Sequence, residues 1–282
     1  MSRTVQRYCV MAGVPMIVLW LLGFWAFAGF LPPPSPANSA QAIAEMFNNH
    51  RNAIRIGLLI TAFGATLLAP FFGVVTVQLR RIEGNASPLA YAQLALSALL
   101  IIEFIFPLYF LQAAAFRGER SAPALQAYND VAWLLFVGVV STAVVQWLLI
   151  GIAILTDQRA EPLFPRWSGY LTLWAALLFA PGGLCVFFKT GPFAWRGLFC
   201  WWIPLSAFGV WFVVFTWLLL KAIDRQDGEP GATVVADLDA RRQVELLAAE
   251  VSALRAELVA MRSATVSGGR ELPALGADVV AE

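Results

Sequence analysis

The chain has 282 residues, of which 60% are hydrophobic and only 13% are Asp, Glu, Lys or Arg, whereas a soluble domain carries about twice that charge. This composition excludes a disordered chain and argues against an ordinary soluble enzyme, and a mean hydropathy of +0.71 makes a bilayer the expected solvent. The formal net charge of +1 hides a split, because thirteen basic and seven acidic residues lie up to Ala222, and six and eleven lie beyond it.

Six stretches carry the roughly 20 apolar residues with which a helix crosses about 30 Å of hydrocarbon. They cover residues 11–31, 54–79, 89–111, 131–155, 167–188 and 198–222, and predict an all-α integral membrane protein with six transmembrane helices in a domain of residues 1–226. Pro32-Pro33-Pro34, Gly84-Asn85, Ser121-Ala122-Pro123, Glu161-Pro162 and Gly191-Pro192 punctuate the links. Arg3 and Arg7 precede the first stretch, and Ala40-Gln41-Ala42 resembles a cleavage site. Its apolar run nevertheless exceeds the roughly 7–15 residues of a signal core, so it is read as a retained span.

With the N-terminus inside, eight Lys and Arg residues (Arg3, Arg7, Arg80, Arg81, Arg159, Arg166, Lys221 and Arg225) fall on the inner side and six on the outer. That narrow margin predicts an inner-membrane protein with both termini cytoplasmic. Trp167, Trp195, Trp201 and Trp202 stand near span ends, where an indole suits the interface. In the long link from Pro32 to Asn52, Ile43, Met46 and Phe47 share one helical face, which predicts a surface helix over Ser39 to Asn48.

One ionisable residue lies deep within a span. Glu103 sits in Leu99-Leu100-Ile101-Ile102-Glu103-Phe104-Ile105-Phe106-Pro107, about 22 Å from Pro88 by helical rise, in the outer third of the hydrocarbon. A carboxyl there is expensive unless neutral or paired, and so marks a site. Pro107, Pro181-Gly182-Gly183 and Pro204 share its level. Each weakens regular helix bonding, which points to an outward-opening pocket or constriction, the alternative being ordinary kinks around a neutral core carboxyl. Arg55 is a candidate partner although about 15 Å higher by rise per residue. Ser141 and Thr142 near mid-depth, with Gln146 further inward, could hydrogen-bond between helices. The candidate solute- or ion-binding set is therefore Glu103, Arg55, Pro107, Gly182, Gly183, Ser141 and Thr142. Ala69-Pro70 and Ala180-Pro181 fall at comparable points of the second and fifth spans, the weak mark of an inverted repeat.

Other site chemistry is largely excluded. A single histidine, His50, rules out bis-histidine haem and a His-rich metal site, and Cys9, Cys185 and Cys200 form no CxxC pair. The last two are read as buried free thiols. There is no phosphate loop, no nucleophile with a histidine at its depth, and no basic run for nucleic acid. No cofactor is expected, and catalysis is the less favoured reading, since acid–base chemistry normally needs more than one positioned titratable group.

Beyond the spans, Asp227-Gly228-Glu229-Pro230-Gly231 opens a linker over residues 227–235. Val244, Leu247, Val251, Leu254, Leu258 and Met261 then recur at spacings of 3, 4, 3, 4 and 3, the a/d pattern of a parallel coiled coil over residues 236–264. Glu250 at g faces Arg255 at e of a partner strand, and Glu257 likewise faces Arg262. Val at two a positions with Leu at d favours two strands, so the chain is expected to pair with itself as a homodimer, the alternative being a trimer or tetramer. Residues 265–282 read as a disordered tail.

The fifth and sixth spans with the hairpin Phe187-Phe188-Lys189-Thr190-Gly191-Pro192-Phe193-Ala194-Trp195 resemble a stretch in a loose group of uncharacterised bacterial polytopic inner-membrane proteins. The resemblance covers about the last third of the membrane region and implies a bacterial inner-membrane setting but no activity. Two function classes follow: a small transporter or channel-like protein with its polar site at Glu103, or a non-catalytic accessory or scaffold subunit of a larger membrane complex.

Overall fold

The computed structural model describes residues 2–84, 86–227 and 242–257. It is 81% helix, with no strand among the described residues, and the chain divides into two units, Met1–Gln226 and Asp227–Glu282. The first unit contains six helical stretches long and apolar enough to cross a membrane, as expected of a multi-pass membrane protein.

The first stretch, Arg3–Phe27, combines α1 (Arg3–Met11), α2 (Gly13–Trp20) and a π-helical segment, Leu21–Phe27. The wider turn is explicit in the bond from the Ala28 N–H to the Gly23 carbonyl at 3.0 Å, five residues back. Next comes α3 (Ala40–Asn49), the expected surface helix, capped by the Ser39 hydroxyl, which accepts from the Ala42 N–H at 3.3 Å. Its apolar face turns toward protein: Ile43 and Phe47 are buried in a cluster with Phe30, Leu125 and Trp133.

The second stretch is α4 (Arg51–Thr66) and α5 (Leu68–Glu83), interrupted at Leu67. Pro70 explains the break. Its ring has no N–H to give the carbonyl four residues earlier, that of Thr66, where α4 ends. The third, α6 (Pro88–Phe116), runs unbroken through Pro107, and the Glu83 carboxylate caps it by accepting from the N–H groups of Leu89 at 3.1 Å and Ala90 at 2.8 Å. The fourth is α7 (Ala122–Gly138) and α8 (Ser141–Leu155), broken at Val139 and Val140. It starts earlier than the apolar run implied because Asn129 is buried and accepts from the Trp133 indole at 3.1 Å. The fifth passes from α9 (Arg166–Phe179) into 3₁₀ turns, Ala180–Phe187, and the sixth opens as a π segment, Leu198–Trp202, before α10 (Ile203–Asp224).

Two aromatic-rich apolar clusters hold the unit together, one around Phe71, Phe72, Trp147, Trp211 and Phe215, the other around Phe24, Phe30, Trp133 and Trp201. The first and second stretches approach backbone to backbone, since a Cβ on Gly57 would lie 2.8 Å from the Ala28 nitrogen. At one end Arg7 pairs with Asp224, and the Gln6 side chain meets Gln78 at 2.7 Å and Gln226 at 3.1 Å. The start of the first stretch and the end of the last therefore lie on the same side. At the other end the Trp195 indole donates to the Pro34 carbonyl at 2.8 Å. Trp195 and Trp201 are buried, not in an exposed belt, whereas Trp167 and Trp202 are exposed.

In the second unit, residues 242–257 form one helix with every side chain exposed. It carries Val244, Leu247, Glu250, Val251, Leu254, Arg255 and Glu257. The helix is a single strand, so a coiled coil is not shown. Leu258, Met261 and Arg262, nearly all of the expected linker and the 265–282 tail lie outside the described residues.

Candidate functional site

The Glu103 carboxylate accepts a hydrogen bond from the Thr142 hydroxyl. Helix irregularity positions Thr142. Thr142 is the second residue of α8, so the interruption at Val139 and Val140 places a helix N-terminus, with its unsatisfied N–H groups and positive dipole end, beside the carboxyl. Pro107, four residues beyond Glu103 in α6, lacks the N–H that would otherwise bond the Glu103 main-chain carbonyl. Along α6 itself Glu103 is near the midpoint, with 15 residues before it and 13 after. The helix continues beyond Leu111 to Phe116.

Glu103 borders a cavity of about 400 Å³. Its wall collects the irregular points of the bundle: Phe24 and Trp25 from the first π segment, Leu68 just after the α4–α5 break, Val139 and Val140 from the α7–α8 break, Phe179 where α9 gives way to 3₁₀ turns, and Trp201 and Pro204 from the start of the sixth stretch. Five stretches thus contribute a position where regular bonding fails, and the third contributes the carboxyl. Aromatic rings form a connected set around the space. Trp20 stands edge-on to Phe104 at 5.2 Å between centroids, Phe104 lies 5.7 Å from Phe136, and Phe136 lies 6.1 Å from Trp201. The indole N–H groups of Trp20 and Trp201 are buried without an acceptor.

The other predicted residues divide. Gly182 and Gly183 pack against the α7–α8 break, where a Cβ on Gly182 would lie 2.8 Å from Val140 Cγ1 and 3.1 Å from the Val137 carbonyl oxygen. They shape the segment that carries Thr142. Ser141 is exposed on the outside of the bundle and does not join the carboxyl. Arg55 is excluded from the site. Its guanidinium stacks 5.8 Å from the Phe116 ring, and its carbonyl accepts from Gln112 at 2.8 Å, at the far end of α6 from the Glu103 level. The vertical gap already present in the sequence is not closed by tilt. Cys185 and Cys200 are free and buried, and the Cys200 thiol contacts the Phe193 carbonyl at 3.1 Å.

A polar file below the carboxyl was largely missed from sequence. Gln146, one turn after Thr142 on α8, donates to the Ser97 hydroxyl at 2.9 Å; Gln93 also donates to Ser97, at 2.8 Å, and accepts from the Thr76 hydroxyl at 2.7 Å. The side-chain oxygen of Gln146 is buried without a partner. The available signal was Gln93 and Ser97 one turn apart in an otherwise apolar run. Among the described residues no group of three or more His, Cys, Asp or Glu could hold a metal ion. Comparison with family models, with curated proteins and with solved structures gave no match for the chain.

Proposed function

We propose that this chain is a small transporter or channel-like protein of the inner membrane, with Glu103 as its solute- or ion-binding group. One observation carries the reading: a cavity of ordinary ligand size, about 400 Å³, has Glu103 as its only charged side chain among the lining residues. The broken helices that converge on it provide the irregular backbone that transporters place at binding sites. In this reading both termini face the cytoplasm, in keeping with the eight-to-six excess of inner basic residues. The exposed ridge of Val244, Leu247, Val251 and Leu254 pairs two chains as a parallel coiled coil, with Glu250 opposite Arg255.

The same exposed ridge favours the second reading, an accessory or scaffold subunit that recruits a larger membrane complex. Vesicles loaded with a pH-sensitive dye separate the two. The full chain is expected to dissipate an imposed proton or cation gradient, and Glu103→Gln to abolish the flux. Equal flux in the variant, or an inert wild-type protein that purifies with a stoichiometric partner, would sink the transport reading. For the oligomer, Leu254→Cys should yield a covalent dimer in native membranes under mild oxidation; only monomer would exclude the zipper.

A further inference from the structure

We infer that the Glu103 cavity is a site for lipophilic organic cations that enter sideways from the bilayer, an inference that rests on Glu103 being a solute-binding group. Charge comes first. Among the residues that line the cavity Glu103 is the only acid and there is no Lys, Arg or His. No cation of the described chain pairs with its carboxylate, whose one recorded partner is the Thr142 hydroxyl. Pro107 leaves the main-chain carbonyl of the same residue without its helical donor, adding a second electron-rich oxygen at that level. A carboxylate inside a membrane span without a counter-ion is costly, and a ligand cation is the complement that removes the cost.

The rest of the wall decides what kind of cation. Trp20, Phe24, Phe104, Phe136, Trp201 and Phe208 all line the space, and the negative faces of such rings attract a desolvated cation. A small metal ion would have to shed its tightly held water to meet this aromatic wall. An organic cation with bulky apolar substituents meets both requirements, and about 400 Å³ accommodates one of drug-like size.

The route follows from how the first and last stretches meet. They pack through α1 and the start of α2, where Gly13 lies against Phe212, and meet again where Phe24 stacks on Trp201 at 6.4 Å between centroids; between these points α2 and the π segment pack mainly on α4. Ile17, Leu21, Trp25 and Leu205 line the cavity and are also exposed on the outside of the bundle, between 39% and 56%. The cavity therefore opens through an apolar slot toward lipid. Molecules that partition into the bilayer reach such a slot directly.

The test uses the full chain in detergent and three probes of matched shape: tetraphenylphosphonium (cation), tetraphenylborate (anion) and triphenylphosphine oxide (neutral), each measured by equilibrium dialysis. Tetraphenylphosphonium is expected to bind saturably at one per chain, at least about tenfold more weakly to Glu103→Gln. In the wild-type protein acid should weaken binding by up to about tenfold per pH unit as protons compete for Glu103; Cys200 is the only other titratable side chain on the wall. A melting curve establishes that the variant is folded, and the pH series needs no variant at all. Undiminished binding to Glu103→Gln, or saturable binding of tetraphenylborate or the oxide as tight as that of the cation, overturns the cation inference while leaving the cavity a solute site. No saturable binding of any probe overturns it too, and the vesicle flux assay then decides separately whether Glu103 serves small ions.

Discussion

Gly182→Ala tests the architecture of the site without touching its carboxyl. The new Cβ would lie 2.8 Å from Val140 Cγ1 and 3.1 Å from the Val137 carbonyl oxygen, against a comfortable carbon–carbon separation of about 3.5–4.0 Å. Val140 is β-branched and has few rotamers to escape into, so the backbone at the α7–α8 break must shift, at about 1–3 kcal/mol. For a unit of this size that lowers the melting temperature by on the order of 5 °C, measured by tryptophan fluorescence of the solubilised full chain. Because Thr142 follows the displaced segment directly, tetraphenylphosphonium binding should weaken in parallel. Gly73→Ala is the control. A Cβ there meets nothing within 4 Å, and the helix gains up to about 1 kcal/mol from the better former. Val140→Ala placed in the Gly182→Ala background should restore most of the loss, since it removes the clashing methyl. A Gly182→Ala protein that melts with wild type, or a double variant in which the two losses simply add, would refute this account of the break.

Asp157 offers a pH test outside the spans. Burial pushes its carboxyl up, but the Arg159 guanidinium and the Leu163 and Arg159 N–H groups together outweigh burial and hold it below the ordinary carboxylate value. Its stabilisation is therefore complete above about pH 4, the unfolded value, and is lost as pH falls through the lower folded value. Asp157→Asn should cost about 1–3 kcal/mol at pH 7 and remove that acid-side step from melting curves recorded at descending pH. Gly57→Ala should cost about 3 kcal/mol, more than Gly182→Ala, because its Cβ would sit 2.8 Å from the Ala28 nitrogen and 2.9 Å from Phe27 Cβ; a change in melting below that of Gly182→Ala would contradict the close approach. Trp195→Phe leaves the Pro34 carbonyl without its 2.8 Å donor and should cost about 1 kcal/mol, with faster proteolysis of the 32–39 segment as the local readout.

The helical body was legible because its signal is additive: twenty apolar residues in a row leave few alternatives to a span. All six stretches were found on that ground, and Glu103 stood out because a lone carboxyl is conspicuous among Leu, Ile and Phe. The breaks were harder. Pro181-Gly182-Gly183 does unwind α9, but Pro107 sits in an unbroken helix. The interruption that positions Thr142 falls at Val139 and Val140, residues with no breaker signature beyond the preceding Gly138. Packing, which depends on contacts distant in sequence, selected among them. The same holds for Arg55, whose place depends on the end of α6 and the Phe116 ring, and for Trp201, which reads as an interfacial anchor but belongs to a cavity wall.

The π segment at Leu21–Phe27 has a consequence of phase. A regular helix advances 100° per residue, so one residue accommodated in a wider turn rotates everything before it by that angle relative to everything after it. Met16, Ile17 and Trp20 before the segment and Phe24 within it lie within about 100° of one another around the helix axis, and all face the same cavity. Deleting a single residue within Leu21–Phe27 would shorten the first stretch by about 1.5 Å, trivial for crossing a bilayer, yet would turn the Trp20 side of the wall away from Glu103. In this chain the register of the first helix, more than its length, holds the aromatic wall opposite the carboxyl.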